Sequence, residues 1–154
     1  SYEEVAKEHV WMAWFIPLVL ASGGNAGSQS ATLVIREIAT RRISRRDKIT
    51  LFFRELKLAS LLGGGLATLS FVAAVCLVDH VSQAAVVSAT VFLVVVLGTV
   101  CGAMLPLLIE KLGMDPALMS NPLIAALVDV LGVIIYFSAA LAIMGQVAQQ
   151  VSAM

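Results

Sequence analysis

Four stretches of this chain are long and apolar enough to cross a bilayer, and that feature constrains everything else. A membrane helix needs about 20 mostly apolar residues at a rise of about 1.5 Å each. The first stretch begins near Val10 (VWMAWFIPLVLA), meets a polar strip from Ser22 to Ser30, and resumes through ATLVI to Ile38. The others run over 58–78, 84–109 and 122–145, with hardly a charge inside them. The chain therefore reads as all-α: a polytopic membrane helix bundle of four transmembrane helices, one membrane domain over 1–154. Composition agrees. Of 154 residues 60% are hydrophobic and 13% charged, with a mean hydropathy of +0.96, whereas soluble domains carry about a quarter charged residues. A secretory signal does not explain the first stretch, because Glu3, Glu4 and Glu8 stand where a basic region belongs and no cleavage pattern follows.

The charges are balanced in total, ten Lys/Arg against ten Asp/Glu, so net charge gives no argument for a nucleic-acid partner and none is expected. Their distribution is uneven. Eight of the ten basic residues fall in REIATRRISRRDKITLFFRELK, Arg36–Lys57, against three acids, for a net +5. Lys and Arg concentrate in cytoplasmic loops, which places the 39–57 segment inside and both chain ends outside. Within it Ile49, Phe52, Phe53 and Leu56 have the phase of a short amphipathic helix, suited to a connector along anionic headgroups. A dedicated nucleotide or partner site is the alternative. Trp11, Trp14 and Tyr2 suit an outer interfacial belt. Glu3, Glu4 and Glu8 read as solvated, with a cation-gathering outer mouth as the functional alternative. Cys76 and Cys101 sit in apolar runs without metal-ligand spacing and read as packed free thiols.

Two places break the apolar pattern. SGGNAGSQSAT, Ser22–Thr32, puts eleven small or polar residues inside the first span. Such a strip cannot face lipid and must face protein or water. Gly23 and Gly27 form a GxxxG of the kind that packs membrane helices, as do Gly98 and Gly102 in the third span. Packing alone does not explain Asn25, Ser28, Gln29, Ser30 and Thr32, whose neutral oxygens suit the lining of a pore or site. The second break is Asp129 in PLIAALVDVLGVIIYF, seven residues past Pro122 and hence about 10 Å along the helix. A carboxylate at the centre of a membrane span costs about 2.5–3.5 kcal/mol on insertion scales unless water, a partner or a cation compensates. No Lys or Arg lies inside the last three spans. Asp129 then binds a cation, relays a proton, or is held neutral by packing. A hydrated divalent ion is a good match, because magnesium gives up its waters reluctantly and accepts a few carboxylate and carbonyl oxygens through them.

These residues carry a family resemblance. GGNAGSQSATLVIREIAT, preceded by FIPLVLAS, resembles the signature helix of MgtE-type magnesium channels and transporters. GMDPALMSNPLIAALVDVLGVIIYF resembles the last membrane helix of the same family with the loop before it. The resemblance spans essentially the whole chain. It implies a homodimer with the pore at the dimer axis, lined by the first and fourth spans. It also implies that Asp129 holds hydrated Mg2+, the transported ion, together with the main-chain carbonyl of Ala125 one turn earlier. The glycine-rich motif falls on Gly23, Gly24, Asn25, Gly27, Gln29 and Ser30 beside the pore. The implied location is a bacterial inner membrane, with the lipid bilayer and a second copy as partners. MgtE-type proteins have five membrane helices, a soluble N-terminal domain and a paired CBS module that senses cytosolic magnesium. This sequence corresponds to the last four helices, starting in the loop after the first.

The rival readings are a small proton-coupled exporter of organic cations and a structural membrane subunit. An exporter calls for aromatic residues around its acid, but the sequence neighbours of Asp129 are aliphatic. An enzyme is not expected: His9 and His80, the only histidines, lie near the outer surface, so no Ser–His or HExxH arrangement is available in the membrane core.

Overall fold

A computed structural model describes the backbone of residues 10–40 and 45–152, with side chains except at 45, 46, 119, 120 and 143–152. Four helices follow one another: α1 (Val10–Thr40), α2 (Arg45–Val75), α3 (Val81–Lys111) and α4 (Pro116–Ser152). All four contain a window apolar enough to cross a membrane, and no strand occurs among the described residues. The expectations for Tyr2, Glu3, Glu4 and Glu8 lie outside these residues, as do 41–44 of the basic segment.

The helices overrun the expected spans. α1 passes through the polar strip without a break. Its hydroxyls are accommodated by bonding back one turn, Ser22 to the Leu18 carbonyl at 2.6 Å and Thr32 to the Ser28 carbonyl at 2.8 Å. α2 starts at Arg45 rather than Leu58, so the second half of the basic segment is no separate connector but the first turns of a membrane helix. Ile49 and Phe53, taken as one apolar face of an amphipathic connector, stand exposed on this helix, while Phe52 and Leu56 are half-buried. α4 starts at Pro116 rather than Pro122. There the Asp115 carboxylate accepts from the Ala117 backbone N–H at 2.8 Å, and Pro116 takes the first helical position, where its missing N–H costs nothing. α3 ends where Gly113 adopts φ 75°, with Gly113 N–H on the Glu110 carbonyl and Met114 N–H on the Ile109 carbonyl. That left-handed exit reverses the chain into α4.

α3 is the hub. It packs against each of the other three helices, and α1 also packs against α4, whereas α1 and α2 hardly meet backbone to backbone. Small residues set this arrangement. Gly23 and Gly27 on α1 lie directly on Gly98 and Gly102 of α3: a Cβ built at Gly98 would overlap the Gly23 carbonyl, and one at Gly102 the Gly27 carbonyl. Two GxxxG ridges thus interlock, the arrangement that lets membrane helices exploit dispersion at short range. On α2 the buried face is Leu51, Glu55, Ala59, Gly63, Ala67, Ser70 and Ala74, spaced by about one turn and all small from Ala59 onward. Ser88 of α3 adds a hydrogen bond across to the Ala67 carbonyl at 2.9 Å.

The apolar core has two parts. A large cluster runs through α1, α3 and α4 and includes Phe15, Val19, Val94, Ile124, Val128 and Tyr136. A smaller one at the basic end joins Val34, Leu51, Ala103 and Leu107. Trp11 belongs to the first, not to an interfacial belt: it is buried edge-on against Tyr136, ring centroids 6.4 Å apart, while Trp14 is exposed. Both cysteines are free, but Cys76 is exposed rather than packed and Cys101 is half-buried.

Candidate functional site: an uncovered carboxylate beside a polar helix face

Asp129 lies on α4 and projects to the outside of the single chain. The residue just before it, Val128, and Ile124 one turn before that are fully buried against α1, at Gly23 and Gly27. This contact fixes the rotation of α4 and turns the next position, Asp129, to the rim of the α1–α4 seam. There it faces Gly24: a Cβ at Gly24 would sit 3.9 Å from the Asp129 Oδ1. Among the described residues no hydrogen bond or ion pair reaches the Asp129 side chain. Ala125, one turn earlier on the same helix, is half-buried.

The glycine-rich strip divides along its helix. Gly23, Gly27 and Ser30 are buried, in phase with Ala31 and Val34, and form the face that packs on the rest of the bundle. Asn25, Gln29 and Thr32 are exposed, and Gly24 and Ser28 half-buried, on the other side. Thr32 spends its hydroxyl on the backbone. That leaves the Asn25 and Gln29 amides free to meet water, at an open concavity of about 470 Å³ that they line with Ser28, Thr32 and Leu33. Of the residues expected together at the site, Gly24 touches the surroundings of Asp129, and Asn25 and Gln29 lie on the adjacent open face. Gly23, Gly27 and Ser30 instead hold the helix that carries them.

Ser30 has a partner that sequence reasoning missed. Its hydroxyl donates to the Glu55 Oε2 at 2.8 Å, and Glu55 is only 1% exposed. Arg54 reaches the other oxygen at 3.3 Å and also Glu37 at 3.5 Å. In the sequence reading Glu55 enters only as one of the three acids counted in the basic segment. The signal was available in the α2 ladder, where Glu55 falls one turn before Ala59 and two before Gly63, on the small-residue face.

The chemistry of the open face is specific. Among the described residues its charged group is a single carboxylate, its remaining polar groups are neutral amides and hydroxyls, and no basic side chain pairs with it. No group of three or more His, Cys, Asp or Glu occurs among the described residues, so a stripped-ion cage is not what these side chains offer. The donor set suits an ion bound through its own waters.

The sequence profile of the MgtE family, described as a divalent cation transporter, matches residues 16–139. This chain belongs to that family. It is 44% identical over 142 residues to the magnesium transporter MgtE of Thermus thermophilus, covering 91% of this chain and 31% of the relative. The MgtE magnesium transporters of Bacillus subtilis and Enterococcus faecalis are 33% and 30% identical, over 92% and 91% of this chain. The chain spans 31% of the length of each of these relatives. Membership of the MgtE family, together with four helices able to span a membrane, makes this a multi-pass bacterial membrane protein.

Proposed function

We propose that this MgtE-family chain forms a transmembrane pore for divalent cations and passes magnesium through it as a homodimer. The observation that carries the reading is Asp129: a carboxylate in a membrane span, exposed and without a partner among the described residues, next to the open amide face of α1. Lipid does not tolerate such a surface, because each uncompensated polar group in hydrocarbon costs several kcal/mol. Water and a second copy do. Placed about a two-fold axis, α1 and α4 of both copies enclose the two Asp129 carboxylates in a shared aqueous path.

The mechanism follows from charge and hydration. Two carboxylates facing one path repel each other, and a divalent cation between them removes that repulsion. Magnesium keeps its tightly held waters. Those waters donate to the Asp129 oxygens and to the Ala125 carbonyl, which retains a second lone pair beyond its helical hydrogen bond. The Asn25 and Gln29 amides offer further contacts to the hydration shell along the path. Such water-mediated binding is weak enough to release the ion to the next position, as conduction requires.

Magnesium uptake into liposomes carrying this chain tests the proposal, with Asp129→Asn protein reconstituted beside it at matched density. Saturable uptake abolished by the substitution is the expected result. Equal uptake by both proteins, above protein-free liposomes, would remove Asp129 from the mechanism.

A further inference from the structure

We infer that the cleft between α1 and α2 is a binding site for one anionic phospholipid, with its phosphate at the basic end and an acyl chain along the leucines. The cleft has a volume of about 600 Å³ and lies where the backbones of α1 and α2, each packed on α3, hardly approach each other. Its walls are amphipathic along the membrane normal. α1 brings Leu33 and then, one turn closer to the basic end, Glu37. α2 runs the opposite way and brings Arg54 and Lys57 first, then Leu58 and Leu61. Two antiparallel helices therefore place charge at the same end of the cleft and leucine at the other. The excess of Lys and Arg makes the charged end cytoplasmic. The leucines are open to the side, Leu61 at 75% and Leu33 at 49% exposure.

The signs of the accessible charges select the headgroup. The two carboxylates of the lining are the less accessible charges: Glu55 is 1% exposed and accepts from the Ser30 hydroxyl, and the Glu37 side chain is 20% exposed. The Arg54 side chain is 54% exposed, and Lys57 is exposed as well. Glu55 takes the Arg54 Nε–H and Nη2–H, and Glu37 a second contact from Nη2, so the Arg54 Nη1 and the exposed Lys57 ammonium are the donors left to an anion. A guanidinium nitrogen and an ammonium lining one cleft suit the oxygens of a phosphate. The surrounding net +5 segment enriches anionic lipid at this end of the helices. A lipid is the fitting occupant because the cleft opens sideways into the acyl region, which a soluble phosphate has no reason to enter.

This site is separate from Asp129, and its test does not depend on transport. Native mass spectrometry of the purified chain, with phosphatidylglycerol or phosphatidylcholine added at equal concentration, reads retained lipid directly. One phosphatidylglycerol per chain should be retained in several-fold excess over phosphatidylcholine. Retention should fall several-fold in Lys57→Gln, an exposed change that leaves the fold alone, and further in Arg54→Gln/Lys57→Gln. Leu58→Trp, which fills the apolar half without touching a charge, should lower it too. Equal retention of both lipids, or unchanged phosphatidylglycerol retention in Lys57→Gln and Leu58→Trp, would overturn the assignment. So would efficient disulfide cross-linking between copies through Leu61→Cys in phosphatidylglycerol membranes, since a second copy would then occupy the cleft.

Discussion

The Ser30 hydroxyl on α1 and the Glu55 carboxylate on α2 meet at 2.8 Å, both almost fully buried, across two helices whose backbones hardly approach each other. A hydrogen bond to a buried charge contributes about 1.5–3 kcal/mol by soluble-protein measurements, while interhelical bonds in membranes average about 0.6 kcal/mol. We expect a double-mutant cycle over Ser30→Ala and Glu55→Gln, read by denaturant unfolding in detergent, to give a coupling of about 1 kcal/mol. Additive single effects would show that the two side chains do not support each other.

The glycines of α1 and α3 should differ sharply from those of α2. A methyl group at Gly98 or Gly102 would run into the backbone of α1. Because a main-chain carbonyl cannot swing aside, Gly98→Ala and Gly102→Ala should each cost about 1–3 kcal/mol or more. Gly64 and Gly65 have open space where a Cβ would go, so Gly64→Ala and Gly65→Ala should stabilise α2 by about 0.5–1 kcal/mol through helix propensity. Thermal unfolding of the four variants in one detergent compares them.

Gly24 stands closest to Asp129 on the neighbouring helix. Its Cβ position lies at ordinary contact distance from the carboxylate, so Gly24→Ala should fold and retain magnesium uptake. Gly24→Leu would extend an apolar side chain over the Asp129 oxygens and should cut uptake severalfold at unchanged protein density. Full uptake in Gly24→Leu would mean that the carboxylate is approached from another side.

The two halves of the polar strip should separate by assay. Asn25→Ala and Gln29→Ala change exposed side chains and should alter stability by no more than about 0.5 kcal/mol, while lowering magnesium uptake. Gly27→Ala meets Ile124 and the Gly98 carbonyl, its Cβ 2.8 and 2.9 Å from them, and should show first as lost stability. Parallel melting and uptake curves distinguish the two.

Cys76 offers a check on orientation. It is exposed just past the end of α2, at the end of the bundle away from the basic segment. A membrane-impermeant maleimide added outside right-side-out vesicles should label it, and Cys101, half-buried within α3, should stay unlabelled. Labelling of Cys76 only from the cytoplasmic side would reverse the topology that the charges imply.

Number and order of the membrane helices were determined by the sequence alone, while the helices themselves extend past the apolar runs, α2 by thirteen residues at its start. In a bilayer every backbone group must be satisfied within the segment, so an apolar run of sufficient length has one solution. The same holds for Asp129, whose position in such a run marks it without any knowledge of its neighbours. What the sequence left open was rotation. The polar strip of α1 is one uninterrupted run of letters, and only contact with Val94, Gly98, Ile124 and Val128 decides that Gly23, Gly27 and Ser30 turn inward while Asn25 and Gln29 stay open. The burial of Glu55 was missed for the same reason: in sequence it counts as one acid of a basic segment, but the phase of Ala59, Gly63 and Ala67 against α3 carries it into the interior. Hydrophobicity sets which segments enter the membrane. Close packing between helices, which differ little from lipid in polarity, sets which side of each segment faces the others.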